Sequence, residues 1–323
     1  MESIKILKKN ADTDSLYSWV LELLPESIKY ALNKTDPTLL NGLSEIRLRA
    51  NGVSCVSVLG KNFVISENGI FPHSEKCISL DFRDLDDFLH KVCRGSVYSH
   101  ESSIANGFIT VNGARMGLSG DVTLKNGNVA GFSSIRSINI RFPRHINGCA
   151  DILLKHIRER SSDSLGGILI ASAPGVGKTT VLRELAVKLS ESIKDPYGNN
   201  RMYRVSVVDE RCELYIPALF KRCTADVYSG IPKHIGIEFA SRTMNPEIII
   251  FDELGSEADA RAVMSSHFGG SAFITSVHAG CLDDVKRKKV LRTLFDERIF
   301  THIYFLNRTD SGINGTLYEV DKC

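Results

Sequence analysis

The stretch GGILIASAPGVGKTTVLRELAVKL, residues 166 to 189, narrows the folds open to this chain more than any other part of it. It opens on an apolar run (Ile168, Leu169, Ile170) and passes through small residues with Pro174, Gly175 and Gly177. It then continues with apolar residues at helical spacing: Val181, Leu182, Leu185, Ala186 and Leu189. That succession predicts strand, loop and helix. Gly177-Lys178-Thr179 closes a phosphate-binding loop that runs from Ser172 through Pro174 and Val176 to Thr180. Gly175 and Gly177 let backbone N–H groups close around phosphate oxygens, Lys178 brings a point charge to the β- and γ-phosphates, and Thr179 offers its hydroxyl to Mg²⁺. The helix start adds its positive dipole end. ATP and Mg²⁺ are the ligands this implies. The pattern G-x-x-x-x-G-K-[ST] has glycine where this chain has Ser172, a residue small enough to keep the tight turn.

A length of 323 residues suggests about two domains, each with its own core. With 43% hydrophobic and 24% charged residues, disorder is not the theme. A net charge of +2 leaves any affinity for nucleic acid or membrane to a local patch. No apolar stretch approaches the length of a membrane span, and the opening MESIKILKKN lacks the apolar core of a signal peptide, which predicts a cytosolic protein. The eight cysteines include no C-x-x-C pair, so they read as free thiols used as small apolar residues.

Residues 1–148 predict an α+β domain without a catalytic motif of its own. Residues 14 to 34 read as helical, with Pro25 starting a second helix; the mixed charges of the polar face favour core packing over a membrane-surface role. Alternation from Ser44, with a turn at Asn51-Gly52, signals a β-hairpin. Leu85, Phe88, Leu89, Val92 and Cys93 mark a helix ended by Gly95, and frequent glycines from Tyr98 to Arg144 predict antiparallel strands with tight turns. Arg136, Arg141 and Arg144 lie near the exit of the last of these. They read either as surface charges or, for Arg141 above all, as an arginine finger that reaches nucleotide phosphates across a domain or subunit boundary.

Residues 149–323 predict the nucleotide-binding domain. A short helix and a polar link lead into the phosphate-loop strand, and Asp195-Pro196-Tyr197-Gly198-Asn199-Asn200 reads as a loop after the following helix. RVSVVDERCEL is an apolar strand ending in Asp209 and Glu210, with Glu213 just beyond; carboxylates there sit where an open α/β sheet binds its ligand. The next strand, IIIF, ends in Asp252-Glu253. Placed beside the phosphate-loop strand, Asp252 would hold Mg²⁺ through its water shell and Glu253 would polarise the attacking water. Ser256 and Asp259 predict a capping box for the helix that follows. SAFITSVHAG is a strand ending in Thr275-Ser276 and His278, with the His placed to sense the γ-phosphate from the strand next to the phosphate loop. Lys286-Arg287-Lys288-Lys289 reads as a solvated helix face or as a partner or lipid patch, and THIYFL and GTLYEV as strands that extend the sheet.

Phosphate loop, acidic pair, Asp-Glu and His on successive strands describe an α/β, RecA-like P-loop ATPase core. On these residues the second half resembles the secretion and traffic ATPases of type II and type IV secretion and type IV pili. The resemblance aligns a phosphate loop at 172–179, an acidic box at Asp209, Glu210 and Glu213, a Walker B box from Arg242 through Pro246 to Glu253, and a histidine box around His278. The stretches SEIRLRANG, SVYSHESSIANGFITVNGARMGLSGDV, SINIRFPRHI, SVVDERCEL and ASRTMNPEIIIFDELGSEADA resemble the stage III sporulation protein AA family, the mother-cell ATPases of endospore-forming bacteria. Phe142-Pro143 and Ser172 depart from that pattern, and neither departure removes a catalytic side chain.

The resemblance implies ATP hydrolysis by a ring of identical subunits, a hexamer, with ATP at subunit boundaries and Arg141 acting on the neighbour's nucleotide. It also implies a place on the cytoplasmic face of a channel between mother cell and forespore, docked through the channel's membrane components. Two other readings stand beside it. In one, Arg47, Arg49 and the 286–289 run hold a nucleic-acid backbone, against which the near-neutral charge and the absence of interleaved aromatics argue. In the other, the protein is a nucleotide-gated scaffold with little turnover.

Overall fold

The computed structural model describes residues 14–40, 42–95, 100–143, 146–159, 166–194, 198–309 and 312–320. Arg144, the 160–165 link, Asp195, Pro196, Tyr197 and Cys323, which carried expectations above, lie outside them. The chain divides into two compact units, Met1–Arg144 and His145–Cys323.

The N-terminal unit opens with α1 (Asp14–Leu23), α2 (Glu26–Lys34) and α3 (Pro37–Leu40), then β1 (Leu43–Arg49), β2 (Cys55–Val58), β3 (Lys61–Ser66) and β4 (Gly69–Phe71). It continues through α4 (Phe82–Val92), α5 (Glu101–Ala105), β5 (Phe108–Val111), β6 (Ala114–Lys125) and β7 (Asn128–Arg141). The seven strands form one antiparallel sheet in the order β4-β3-β2-β1-β7-β6-β5. Asn51 takes the left-handed conformation the β1–β2 turn needs, as does Asn126 with Gly127 at the tip of β6–β7. Helix α4 starts on an Asp81–Asp84 capping box and buries Leu85, Phe88, Leu89 and Val92. Helix α5 stands where the glycine pattern predicts strand alone; it is a short helix inserted before β5.

The second unit begins with α6 (Asp151–Arg158), β8 (Gly167–Ser172), α7 (Lys178–Glu191), a small hairpin of β9 (Ile193–Lys194) and β10 (Asn200–Arg201), and β11 (Val205–Asp209). There follow β12 (Asp226–Ser229), α8 (Lys233–Thr243), β13 (Ile248–Phe251), α9 (Glu257–His267) and β14 (Ala272–His278). The chain closes with α10 (Leu282–Arg287), α11 (Lys289–Asp296), β15 (Phe300–Thr309) and β16 (Gly312–Glu319). The sheet runs β12-β11-β13-β14-β8-β15-β16, parallel from β12 to β15, with β16 antiparallel at the edge. Buried clusters lie on both of its faces, one built around Leu182, Leu185 and Ile250 and the other around Ile249, Val263 and Phe273. That explains why its central strands are continuous apolar runs.

The Asp-Glu strand, β13, is not beside the phosphate-loop strand. β14 lies between them, and both β13 and, from Ala272 to Val277, β14 are fully buried runs, as central parallel strands are. His278 does stand on the strand next to β8, paired in register with Ser172. The basic run 286–289 is not one helix face: α10 ends at Arg287, Lys288 joins the two helices, and α11 begins at Lys289. The Ser256–Asp259 capping box opens α9 as the sequence predicts.

Candidate nucleotide-binding site

The loop between β8 and α7 is built for close approach of a ligand to backbone. Gly175 has φ 76° and Gly177 φ 128°, conformations that a side chain makes costly. Ser172 keeps ordinary backbone angles at the first loop position, so serine stands there without strain. Pro174 is exposed, Val176 packs partly against the core, and Thr180 is half-buried in the first turn of α7. Lys178 is buried, and its ammonium lies 3.3 Å from Ser172 O, Ser172 Oγ and Ala173 O and 2.8 Å from His278 Nδ1. Burial lowers its pKa, opposed by the charges of Asp252 and Glu253.

Asp252 extends across the β14 position to meet the loop. The Thr179 hydroxyl donates to Asp252 Oδ2 at 2.6 Å. The Ser276 hydroxyl, on β14, donates to Asp252 Oδ1 and accepts the Glu253 N–H at 3.0 Å. Ser276 therefore holds both members of the Asp-Glu pair, and the sequence signal for it was only its place two residues before His278. The Thr179 hydroxyl and the Asp252 carboxylate are hard oxygen donors suited to Mg²⁺, which takes few protein ligands and fills its shell with water and phosphate oxygens.

Glu253 has φ 57°, left-handed for a residue with a Cβ. Its carboxylate pairs with Arg211 Nη1 at 3.0 Å and lies 3.7 Å from His278 Nε2.

The acidic loop after β11 divides its carboxylates between two tasks. Asp209 is buried and accepts backbone N–H bonds from Glu213 (2.8 Å), Leu214 (3.0 Å) and Tyr215 (2.8 Å). Burial raises its pKa, with those three bonds and Arg183 opposing. Both Asp209 oxygens thus face its own loop. Arg183 of α7 grips the same loop from the other side, through the carbonyls of Glu213 at 2.6 Å and Leu214 at 3.1 Å. Glu210 pairs with Lys233 of α8 at 2.8 Å, and Glu210, Arg211, Glu213, Lys233, Asp252 and Glu253 line one cleft. Lys233 and Arg211 are charged groups of this cleft that motif reading passed over.

Next to Arg183, the buried Glu184 accepts N–H bonds from Gly148 at 2.6 Å and Ala150 at 2.7 Å, fixing the start of α6. Arg141 belongs to the N-terminal unit, where it is exposed and lies 3.6 Å from Glu45, which also pairs with Arg47 at 2.8 Å. Arg136 donates through Nη2 to both carboxylate oxygens of Asp121, at 2.7 and 3.0 Å.

Residues 17–320 match the family described as sporulation stage III, protein AA. The chain belongs to the stage III sporulation protein AA family. The Bacillus subtilis (strain 168) protein of that name is 31% identical over 309 residues, covering 94% of this chain and 95% of that protein. Among solved structures, the pilus retraction motor PilT with bound ADP superposes with a TM-score of 0.59 at 14% identity, covering 93% of this chain and 82% of that one. The Legionella pneumophila ATPase DotB superposes with a TM-score of 0.54 at 17% identity, covering 85% and 75%. The family member described here therefore has the fold of a secretion ATPase: an α/β, RecA-like core joined to a smaller N-terminal α+β domain. No helix among the described residues is long and apolar enough to cross a membrane.

Proposed function

We propose that this chain binds and hydrolyses ATP and powers or gates a secretion-like channel between mother cell and forespore. The observation that carries the reading is the 2.6 Å contact between Thr179 Oγ1 and Asp252 Oδ2. It joins the phosphate loop to the Asp-Glu strand across an intervening strand, at the point where a metal-bound triphosphate would sit. In this reading the loop amides and Lys178 hold the phosphates, and Thr179 and Asp252 hold Mg²⁺, which supplies charge to the transferring phosphoryl group. Glu253 orients and polarises the attacking water, with Glu210 as the reserve candidate, and His278 reports on the γ-phosphate. Asp209 and Glu213 serve by shaping the acidic loop over the ligand. The ring, a hexamer, brings Arg141 of a neighbouring copy to the nucleotide, and the channel's membrane components hold the ring at the cytoplasmic face.

Two variants test the hydrolytic assignment. Lys178→Ala should abolish ATP binding measured by calorimetry. Glu253→Gln should bind ATP within about threefold of wild type and lose turnover by about 100-fold or more, the usual scale for removing a positioned general base. Normal turnover in Glu253→Gln would transfer the water-polarising role to Glu210.

A further inference from the structure

Hydrolysis by Glu253 leaves one feature of the cleft unexplained, namely that its carboxylate is already engaged. Glu253 Oε2 is 3.0 Å from Arg211 Nη1 and Oε1 is 3.7 Å from His278 Nε2, while the same imidazole meets Lys178 Nζ through Nδ1 at 2.8 Å. An ammonium has no lone pair, so Nδ1 accepts and, in the neutral ring, the Nε2 proton faces Glu253. The ammonium that a phosphate claims and the carboxylate that polarises water are thus joined through one ring. Arg211 closes the far end of that chain of contacts.

The backbone on both sides of the Arg211–Glu253 pair is held in a demanding conformation. Glu253 has φ 57° and Cys212, the residue after Arg211, has φ 55°. Left-handed residues with a Cβ persist where surrounding contacts impose them, and they concentrate at switching and catalytic sites. Here the contacts are identifiable. Ser276 Oγ accepts the Glu253 N–H, and Asp209 and Arg183 fix the residues that follow Cys212. The backbone is anchored while the Arg211 side chain is 62% exposed and has solvent to turn into.

Resting on the reading of this cleft as an ATP site, we propose that Arg211 is the residue by which the site tells a nucleoside triphosphate from a diphosphate. In the structure its guanidinium holds Glu253 Oε2. With a triphosphate bound it transfers to the terminal phosphate and leaves Glu253 to the attacking water. The exchange is favoured because a terminal phosphate offers several anionic oxygens to the planar guanidinium fork, whereas Glu253 meets it through one. A diphosphate ends at the phosphate that Lys178 and the loop amides already hold, and gives Arg211 nothing to move to. Lys178 makes the parallel move, from His278 Nδ1 and the loop carbonyls to the phosphates, so phosphate binding loosens both ends of the chain of contacts at once.

The test compares Arg211→Gln and Arg211→Lys with wild type, in the full-length chain with Mg²⁺, for binding of ADP and of a non-hydrolysable ATP analogue and for steady-state turnover. Arg211→Gln should bind ADP within about twofold of wild type, lose about tenfold in affinity for the triphosphate analogue, and lose turnover at saturating ATP. Arg211→Lys keeps the charge without the fork and should recover part of the analogue affinity while leaving the ADP affinity unchanged. Unchanged analogue affinity in Arg211→Gln, or equal loss for both nucleotides at an unchanged melting temperature, overturns the assignment. If Arg211→Gln melts below wild type, Arg211→Lys decides: wild-type ADP affinity beside a partial loss for the analogue supports the proposal, and equal loss of both overturns it. A wild-type chain that binds neither nucleotide overturns the ATP-site reading and this proposal with it. Wild-type turnover beside an indifferent Arg211→Gln overturns only the role of Arg211.

Discussion

Ser276 serves the site through one hydroxyl that donates to Asp252 and accepts from the backbone of Glu253. Its removal leaves a carboxylate oxygen and an N–H unpaired in a part-buried place, a cost of about 1–3 kcal/mol. Ser276→Ala should therefore lower the urea midpoint and reduce turnover by about tenfold while ADP affinity changes less, since the loop amides that hold phosphates are untouched. Asp209 makes the complementary case. Asp209→Asn puts an amide NH₂ against backbone N–H donors, and the three bonds that shape the acidic loop cannot all survive. A loss of about 1–3 kcal/mol in chemical denaturation is expected, with turnover falling as well because Glu210 and Arg211 ride on the same loop. A fully stable, fully active Asp209→Asn would show that the loop holds its shape by other means.

Helix α7 was legible as a helix because its apolar residues keep helical spacing, and β8 was legible as its strand because an apolar run met a glycine-rich turn. The two charges in its middle were not. Nothing in the apolar spacing singles out Arg183 and Glu184, yet both are buried, one gripping the acidic loop and the other the start of α6. Periodicity reports which residues are apolar, not which polar residues find backbone partners inside. Strand order was invisible for a related reason: a fully buried parallel strand is an apolar run wherever it sits, so nothing in IIIF or AFITSV says which lies nearer β8. Packing of α8 supplies a test at this scale. A Cβ on Gly236 would stand 2.5 Å from Val208 Cγ1, so Gly236→Ala should push α8 away from β11 and cost about 1–3 kcal/mol. Because α8 carries Lys233, the shift should also weaken its 2.8 Å pair with Glu210.

At the scale of the whole molecule, the seven described cysteines are free thiols. Cys93 and Cys149 are buried, and burial raises both thiols, Cys149 further still through the neighbouring Glu184 carboxylate. Cys281 is exposed. Alkylation of the folded protein at pH 8, read by mass spectrometry, should label Cys281 early and Cys93 and Cys149 only after unfolding. The proposed ring makes a second measurement decisive: native mass spectrometry with and without a non-hydrolysable ATP analogue should find the homo-oligomer, and a chain that stays monomeric in both conditions removes the trans role of Arg141. The central place of β14 carries a last consequence. Ser276 and His278 are two residues apart and face the same way, with Val277 turned into the core between them. Slipping this strand by one position against β8 would present Val277 where the two polar groups now stand and lose both together. With respect to strand alignment the geometry of the candidate site is therefore binary, either complete or absent, with no partly aligned form between.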